Sequence, residues 1–152
     1  MDIDELLGPH GILPALKARS KRQVLQKLAD HAGPLTGQPD RTIFERLMER
    51  EKLGTTGVGQ SVAIPHAKLA GLTGIVGVLA RLESPVDFDS VDGAPVDLLF
   101  LLLAPERSGA DHLKALACVS RLLRDKTFCD KLRGAESADA LHALLMRQAA
   151  AA

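Results

Sequence analysis

Apolar and polar residues alternate along this chain in two rhythms, one helical and one strand-like, and the change from one to the other divides it. After an acidic start and a strand-like piece at 12–16 containing Pro14, Ser20 opens a segment with Val24, Leu25 and Leu28 on one face. Ser20 and Gln23 have the spacing of a capping box, and Gly33-Pro34 is expected to stop the helix. A second helix is predicted from Asp40 as N-cap, with Ile43, Phe44, Leu47 and Met48 on its inner face and Gly54 just past its end. Arg50 and Lys52 fall in its last turn, where cations suit the helix dipole.

Beyond residue 60 the period shortens. Residues 75–82 are rich in β-branched side chains, and 85–88 read as a further short strand. Asp92-Gly93 is a hairpin-type turn signal, and the unbroken apolar run 96–103 is what a strand buried on both faces looks like. The last third returns to helix: about 110–124 with Ser108 as a candidate cap, 128–132, and 137–147. In the first of these, Asp111, Lys114, Arg121 and Asp125 share a polar stripe while Leu113, Leu116, Ala117 and Leu123 lie elsewhere. No repeat, linker or low-complexity segment divides the chain. The pattern therefore predicts one α/β domain, residues 3–148, with a mixed sheet flanked by helices on both faces, and a frayed tail at 149–152.

Between the two regimes lies the segment 54–68, GTTGVGQSVAIPHAK. Gly54, Gly57 and Gly59 permit tight turns and expose amides suited to an anion. Val62-Ala63-Ile64 is strand-like, and Pro65 is expected to end the ladder, leaving His66 in the open just past the strand tip.

Composition narrows what such a histidine serves. With 152 residues a real core is available, and with four Phe and no Trp or Tyr it must be aliphatic. Lys plus Arg equals Asp plus Glu at 19 each, so neither nucleic acid nor an anionic membrane surface is favoured as a partner. Cys118 and Cys129 match neither a disulfide framework nor a metal spacing, which fits a reducing cytosolic compartment. No apolar run is long enough to span a bilayer, and no membrane insertion is expected.

Of the five histidines, His10, His31 and His142 sit in ordinary turn or amphipathic surroundings. His66 follows a strand and a glycine loop, where α/β proteins commonly place a functional group, although a plain turn histidine reads the same way. His112 falls in the first turn of its helix, where a half-buried packing role is the simple alternative. If His66, His112 and Arg50 converge, they supply a nucleophilic nitrogen, an imidazole donor and a guanidinium, a set suited to phosphoryl transfer. GxxxxGK[ST] and GxGxxG after a strand are both missing, so no bound nucleotide and no other cofactor is expected. A metal-dependent hydrolase using His66, His112 and Asp111 lacks a supporting spacing such as HExxH.

These residues also carry a resemblance. EREKLGTTGVGQSVAIPHAKL (49–69), SPVDFDSVDGAPVDLLFLLLAPE (84–106) and HLKALACVSRLLRDKTFCDKLRGAESADALHALL (112–145) resemble the enzyme IIA domains of the fructose/mannitol type (EIIA type-2) of the bacterial phosphotransferase system, most of all their nitrogen-regulatory (IIA-Ntr) branch. The resemblance implies a mixed sheet flanked by helices on both faces, of the phosphotransferase/anion transport protein type. It implies that His66 accepts a phosphoryl group on Nε2 from the phosphohistidine of a small HPr-like carrier, the nitrogen-system NPr. His112 would hydrogen-bond that group and Arg50 would support it electrostatically. It further implies regulatory partners such as potassium transporters or sensor kinases; the alternatives are onward transfer to a sugar-transporting IIB, or a binding module that carries no phosphate. One departure stands out: Gln60-Ser61 occupies the place where the family usually has Asn-Gly, which is expected to alter the loop's backbone.

Overall fold

Leu98 through Ala104 are 0% exposed, and the rest of the molecule is laid out on either side of them. In this computed structural model, which describes residues 3–151 (the side chains of 149–151 excepted), they form the middle of β6 (Val96–Pro105). The other strands are β1 (Leu7–Leu16), β2 (Gly57–Gly59), β3 (Val62–Ala63), β4 (His66–Leu69) and β5 (Val76–Val86). The helices are α1 (Ile3–Leu6), α2 (Lys21–Thr36), α3 (Asp40–Lys52), α4 (Ala110–Arg124), α5 (Lys126–Gly134) and α6 (Ala138–Ala151). Of the tail expected to fray at 149–152, the backbone of 149–151 continues α6, and Ala152 lies outside the described residues.

The sheet is mixed, as the sequence pattern predicts. Its order is β1-β5-β6-β3-β2, with β4 also pairing with β6. β5 and β6 are antiparallel, while β1 runs parallel to β5 and both β3 and β4 run parallel to β6. Pro14 is tolerated because β1 is an edge strand. Alternation along β6 divides two cores. Leu99, Leu101 and Leu103 meet α2 and α3 on one face, and Leu98, Phe100 and Leu102 meet α1, α4, α5 and α6 on the other.

Several boundaries differ from the sequence reading for local reasons. Ser20 does cap α2 by accepting from the Gln23 amide, but the Gln23 side chain accepts from Arg19 rather than from Ser20. α2 continues through Gly33-Pro34 and ends at Gly37, whose φ of 70° closes the turn and whose amide reaches the Gly33 carbonyl. Asp40 is the first helical residue of α3 rather than its cap, which is Pro39. The segment 85–88 is no separate strand, since β5 extends to Val86. Asp92-Gly93 lies in a wide connection at 87–95, where the Gly93 amide bonds the Ser90 carbonyl at 2.9 Å. Gly109, not Ser108, precedes α4, and no side chain caps it. Leu113 points to solvent, while His112, Ala115, Val119 and Leu123 form the buried stripe.

The largest difference concerns Pro65. It interrupts the strand without ending it: Val62 and Ala63 lie opposite Leu98 and Leu99, and His66 and Ala67 lie opposite Leu102 and Leu103, so the register with β6 passes unchanged across the break. Proline removes one amide from the ladder, but its own carbonyl still accepts from Leu102 at 3.0 Å. His66 is therefore the first residue of β4, fixed by a central strand, and not the start of a free loop.

Candidate active site

His66 owes its orientation to that interruption. Ile64 leaves the β6 ladder at Pro65, and its carbonyl accepts from His66 Nδ1 at 2.8 Å. This bond places the ring proton on Nδ1 and leaves Nε2 with its lone pair. Arg50 Nε donates to that lone pair at 3.2 Å, and Arg50 Nη1 donates to the Gly54 carbonyl at 2.8 Å. One guanidinium thus ties the end of α3, the start of the glycine-rich loop and the imidazole together.

His112 enters from the other side of the cleft. The first turn of α4 brings its ring to 5.6 Å from the His66 ring, centroid to centroid, tilted by 50°. It is 6% exposed, and its Nδ1 is buried without a hydrogen-bond partner. The three residues singled out in the sequence line one cleft of about 370 Å³ together with Arg46, Glu49, Leu53, Ala67 and Lys68. His10, His31 and His142 lie elsewhere: His31 Nε2 bonds the His10 carbonyl, and His142 is 3.9 Å from Asp4. Asp111 lines a separate hollow with Glu5 and Arg107, so it does not join the two histidines.

Both imidazoles are held below their ordinary pKa. For His66 the main cause is burial; the Ile64 carbonyl opposes it, the Arg50 charge adds to it, and Glu51 opposes it weakly. For His112 burial again leads, followed by the neighbouring His66 and Lys68. Burial thus favours the neutral form of both rings, and the Nε2 lone pair of His66 is held by the Arg50 guanidinium.

The glycines serve a different purpose from the anion cradle expected of them. No glycine lines the cleft among the described residues. Gly57 lies against the 87–95 connection, where a Cβ would come within 2.2 Å of Ser90 Oγ. Gln60 and Ser61 form the turn between β2 and β3 with φ of 55° and 66°, the left-handed pair a type I′ turn needs, so the departure from Asn-Gly does not change the hand of this turn. Asp92 Oδ2 accepts from the Gln60 amide at 2.9 Å and Arg133 Nη2 donates to the Gln60 carbonyl at 3.2 Å, which holds two non-glycine residues where they are strained.

Sequence reasoning missed the brace behind Arg50. Glu51, next to it, is buried and receives the Thr56 amide at 3.0 Å on both oxygens, the Thr56 hydroxyl, and Lys21 at 3.7 Å. Lys21 also lies over the Phe88 ring at 4.9 Å. An acidic residue in a helical last turn reads as solvated; the EKLGTT spacing, which lets the carboxylate cap a following threonine, was the available signal.

Residues 5–148 match the protein family described as phosphoenolpyruvate-dependent sugar phosphotransferase system, EIIA 2. The chain belongs to this EIIA type-2 family. Among EIIA type-2 relatives, it is 59% identical over 145 residues to a nitrogen regulatory protein of Bradyrhizobium diazoefficiens, covering 95% of each chain. It is 40% identical over 145 residues to a nitrogen regulatory protein of Pseudomonas aeruginosa, covering 95% of this chain and 94% of that one. The crystal structure of the nitrogen regulatory protein IIA-Ntr from Neisseria meningitidis superposes with a TM-score of 0.89 at 35% identity, covering 94% of this chain and 98% of that one. Like other EIIA components, the chain is thereby placed among phosphoryl-transfer proteins in general. None of its described helices is long and apolar enough to cross a membrane.

Proposed function

We propose that this chain is a phosphoryl-carrier and regulatory protein of the nitrogen-related phosphotransferase system, working in the cytoplasm and accepting a phosphoryl group on His66 from an HPr-like carrier. The observation that carries this reading is the tautomer of His66: with Nδ1–H given to Ile64, Nε2 is the nucleophile and opens into a cleft with a guanidinium and a second imidazole.

The step balances simply. The Nε2 lone pair forms the new N–P bond as the P–N bond of the donor phosphohistidine breaks, and the electron pair of that bond returns to the donor ring. His66 keeps its Nδ1 proton, and the Ile64 carbonyl stabilises the positive charge that develops on the ring. Arg50 Nε, relieved of its bond to the lone pair, is positioned to meet a phosphoryl oxygen. His112, held neutral, donates a hydrogen bond without competing as a cation. The modification adds a group of charge near −2 to a surface of zero formal net charge, which is what a partner such as a potassium transporter or a sensor kinase would read.

Incubation with enzyme I, an HPr-like carrier and labelled phosphoenolpyruvate tests it. Acid-labile, base-stable label is expected on His66 and is lost in His66→Ala; label persisting at full stoichiometry in that variant would sink the assignment. Adding a IIB protein separates a terminal carrier, which retains its label, from the alternative of onward transfer.

A further inference from the structure

The cleft contains a cation that the transfer described above leaves unused. Ala67 and Leu69 face the core beneath α2 and α3, so the alternation of β4 puts His66 and Lys68 together on its other face. Lys68 is exposed and lines the same cleft as His66, His112 and Arg50. Arg46, also in the lining, is paired with Glu49 at 3.3 Å, whereas Lys68 forms no ion pair among the described residues.

Charge accounting gives this lysine a task. A phosphoryl group on Nε2 brings close to two negative charges into a partly desolvated cleft. Arg50 supplies one positive charge, and part of its donor set is committed to Gly54. His112, 6% exposed with its Nδ1 unpartnered, sits where burial disfavours its charged form, so its first contribution is a hydrogen bond rather than a charge. A compact ammonium on a flexible stem, two residues along the strand from the nucleophile, has the reach and the freedom to supply the second charge.

We infer that Lys68 is the second charge-compensating residue of this site, its ammonium acting with the Arg50 guanidinium on the oxygens of the phosphoryl group both in transit and once bound to His66. The inference rests on His66 being the acceptor. No further reactant is required, because the ammonium takes no part in bond making and keeps its protons.

The test compares wild type, Lys68→Met and Lys68→Arg, with unfolding midpoints as a control for fold. Single-turnover transfer from the phosphorylated carrier at saturating concentration is expected to slow on the order of tenfold in Lys68→Met and to recover to within about threefold in Lys68→Arg. The defect should narrow as added salt screens the wild-type lysine. A merely structural lysine would leave the phosphoryl group's own titration untouched; here its second ionisation, followed by phosphorus NMR on phospho-His66, should move to higher pH in Lys68→Met. A labelled wild type with unchanged rate and titration in Lys68→Met overturns the inference and leaves His66 as acceptor. A rise confined to apparent KM, with saturating rate and titration unchanged, also overturns it, by making Lys68 a docking residue. No label on His66 in the wild type overturns the acceptor assignment and this inference together.

Discussion

Arg50 Nε donates to His66 Nε2 across 3.2 Å, so the guanidinium already holds the lone pair that the proposed reaction uses. The contact has two sides. It aims the imidazole into the cleft, and it must be exchanged for contacts to the phosphoryl group when Nε2 attacks. The charge also disfavours imidazolium, which keeps the ring in its nucleophilic form.

Arg50→Ala is therefore expected to slow phosphoryl acceptance on the order of a hundredfold and to raise the His66 pKa, because a nearby positive charge has been removed. Arg50→Lys should restore part of the pKa effect but less of the rate, since a single ammonium does not bond His66 and Gly54 in the same fork. Rapid-quench transfer and an NMR titration of the imidazole nitrogens measure both. A His66 pKa that stays put in Arg50→Ala would show that the contact has no electrostatic consequence.

The depressed pKa values of His66 and His112 make a second prediction, about pH. Both rings titrate in the folded chain below the ordinary 6.5, mainly through burial, so the acid limb of the acceptance rate should lie below pH 6.5. Stability follows the same linkage: protons bind the unfolded chain more readily, so the contribution is complete above the unfolded pKa and is lost as pH falls through the folded values. Urea midpoints should be flat above about pH 7 and decline below 6.5, and the decline should be shallower in His112→Asn. Arg50, Glu51 and Lys68 enter the titrations as charged neighbours, with Glu51 opposing the trend.

How much of this was legible beforehand depended on range. The α2 stripe of Val24, Leu25 and Leu28 and the doubly buried β6 follow from local periodicity, and His66, His112 and Arg50 could be named from motif position. The continuation of the strand past Pro65 could not, because it is set by pairing with β6, whose residues lie far along the chain. The burial of His112 needed the sheet that α4 packs on, and a helix with Leu113 on one side and Ala115 on the other does not declare which side that is. Gly57 looked like an anion loop because close approach to Ser90 and close approach to a ligand demand the same residue.

The Glu51 brace yields a third prediction. In Glu51→Gln one carboxylate oxygen becomes an amide nitrogen that cannot accept from Thr56, and Lys21 loses its buried partner and keeps only the exposed Asp89 at 3.9 Å. A loss of about 2 kcal/mol in urea denaturation is expected, with about 1 kcal/mol for Thr56→Val, which retains the backbone bonds. Since Glu51 fixes the last turn of α3, its loss should also slow acceptance through Arg50, whereas an unaltered rate would confine the brace to stability.

The strained turn at Gln60-Ser61 carries the last prediction. Two side chains hold it from outside: Asp92 takes the Gln60 amide, and Arg133 takes the Gln60 carbonyl while pairing with Asp97 at 3.0 Å. Glycine adopts positive φ without the steric cost that serine bears, so Ser61→Gly should stabilise the fold by about 1 kcal/mol. In an Arg133→Met background the gain should shrink, because a turn no longer held by the guanidinium can relax and relieve its own strain. A double-mutant cycle by urea denaturation measures that coupling, since the two residues act on one turn. Equal gains in both backgrounds would mean that Arg133 does not hold the turn, and would leave Asp92 as the side chain that keeps β2 in register with β3.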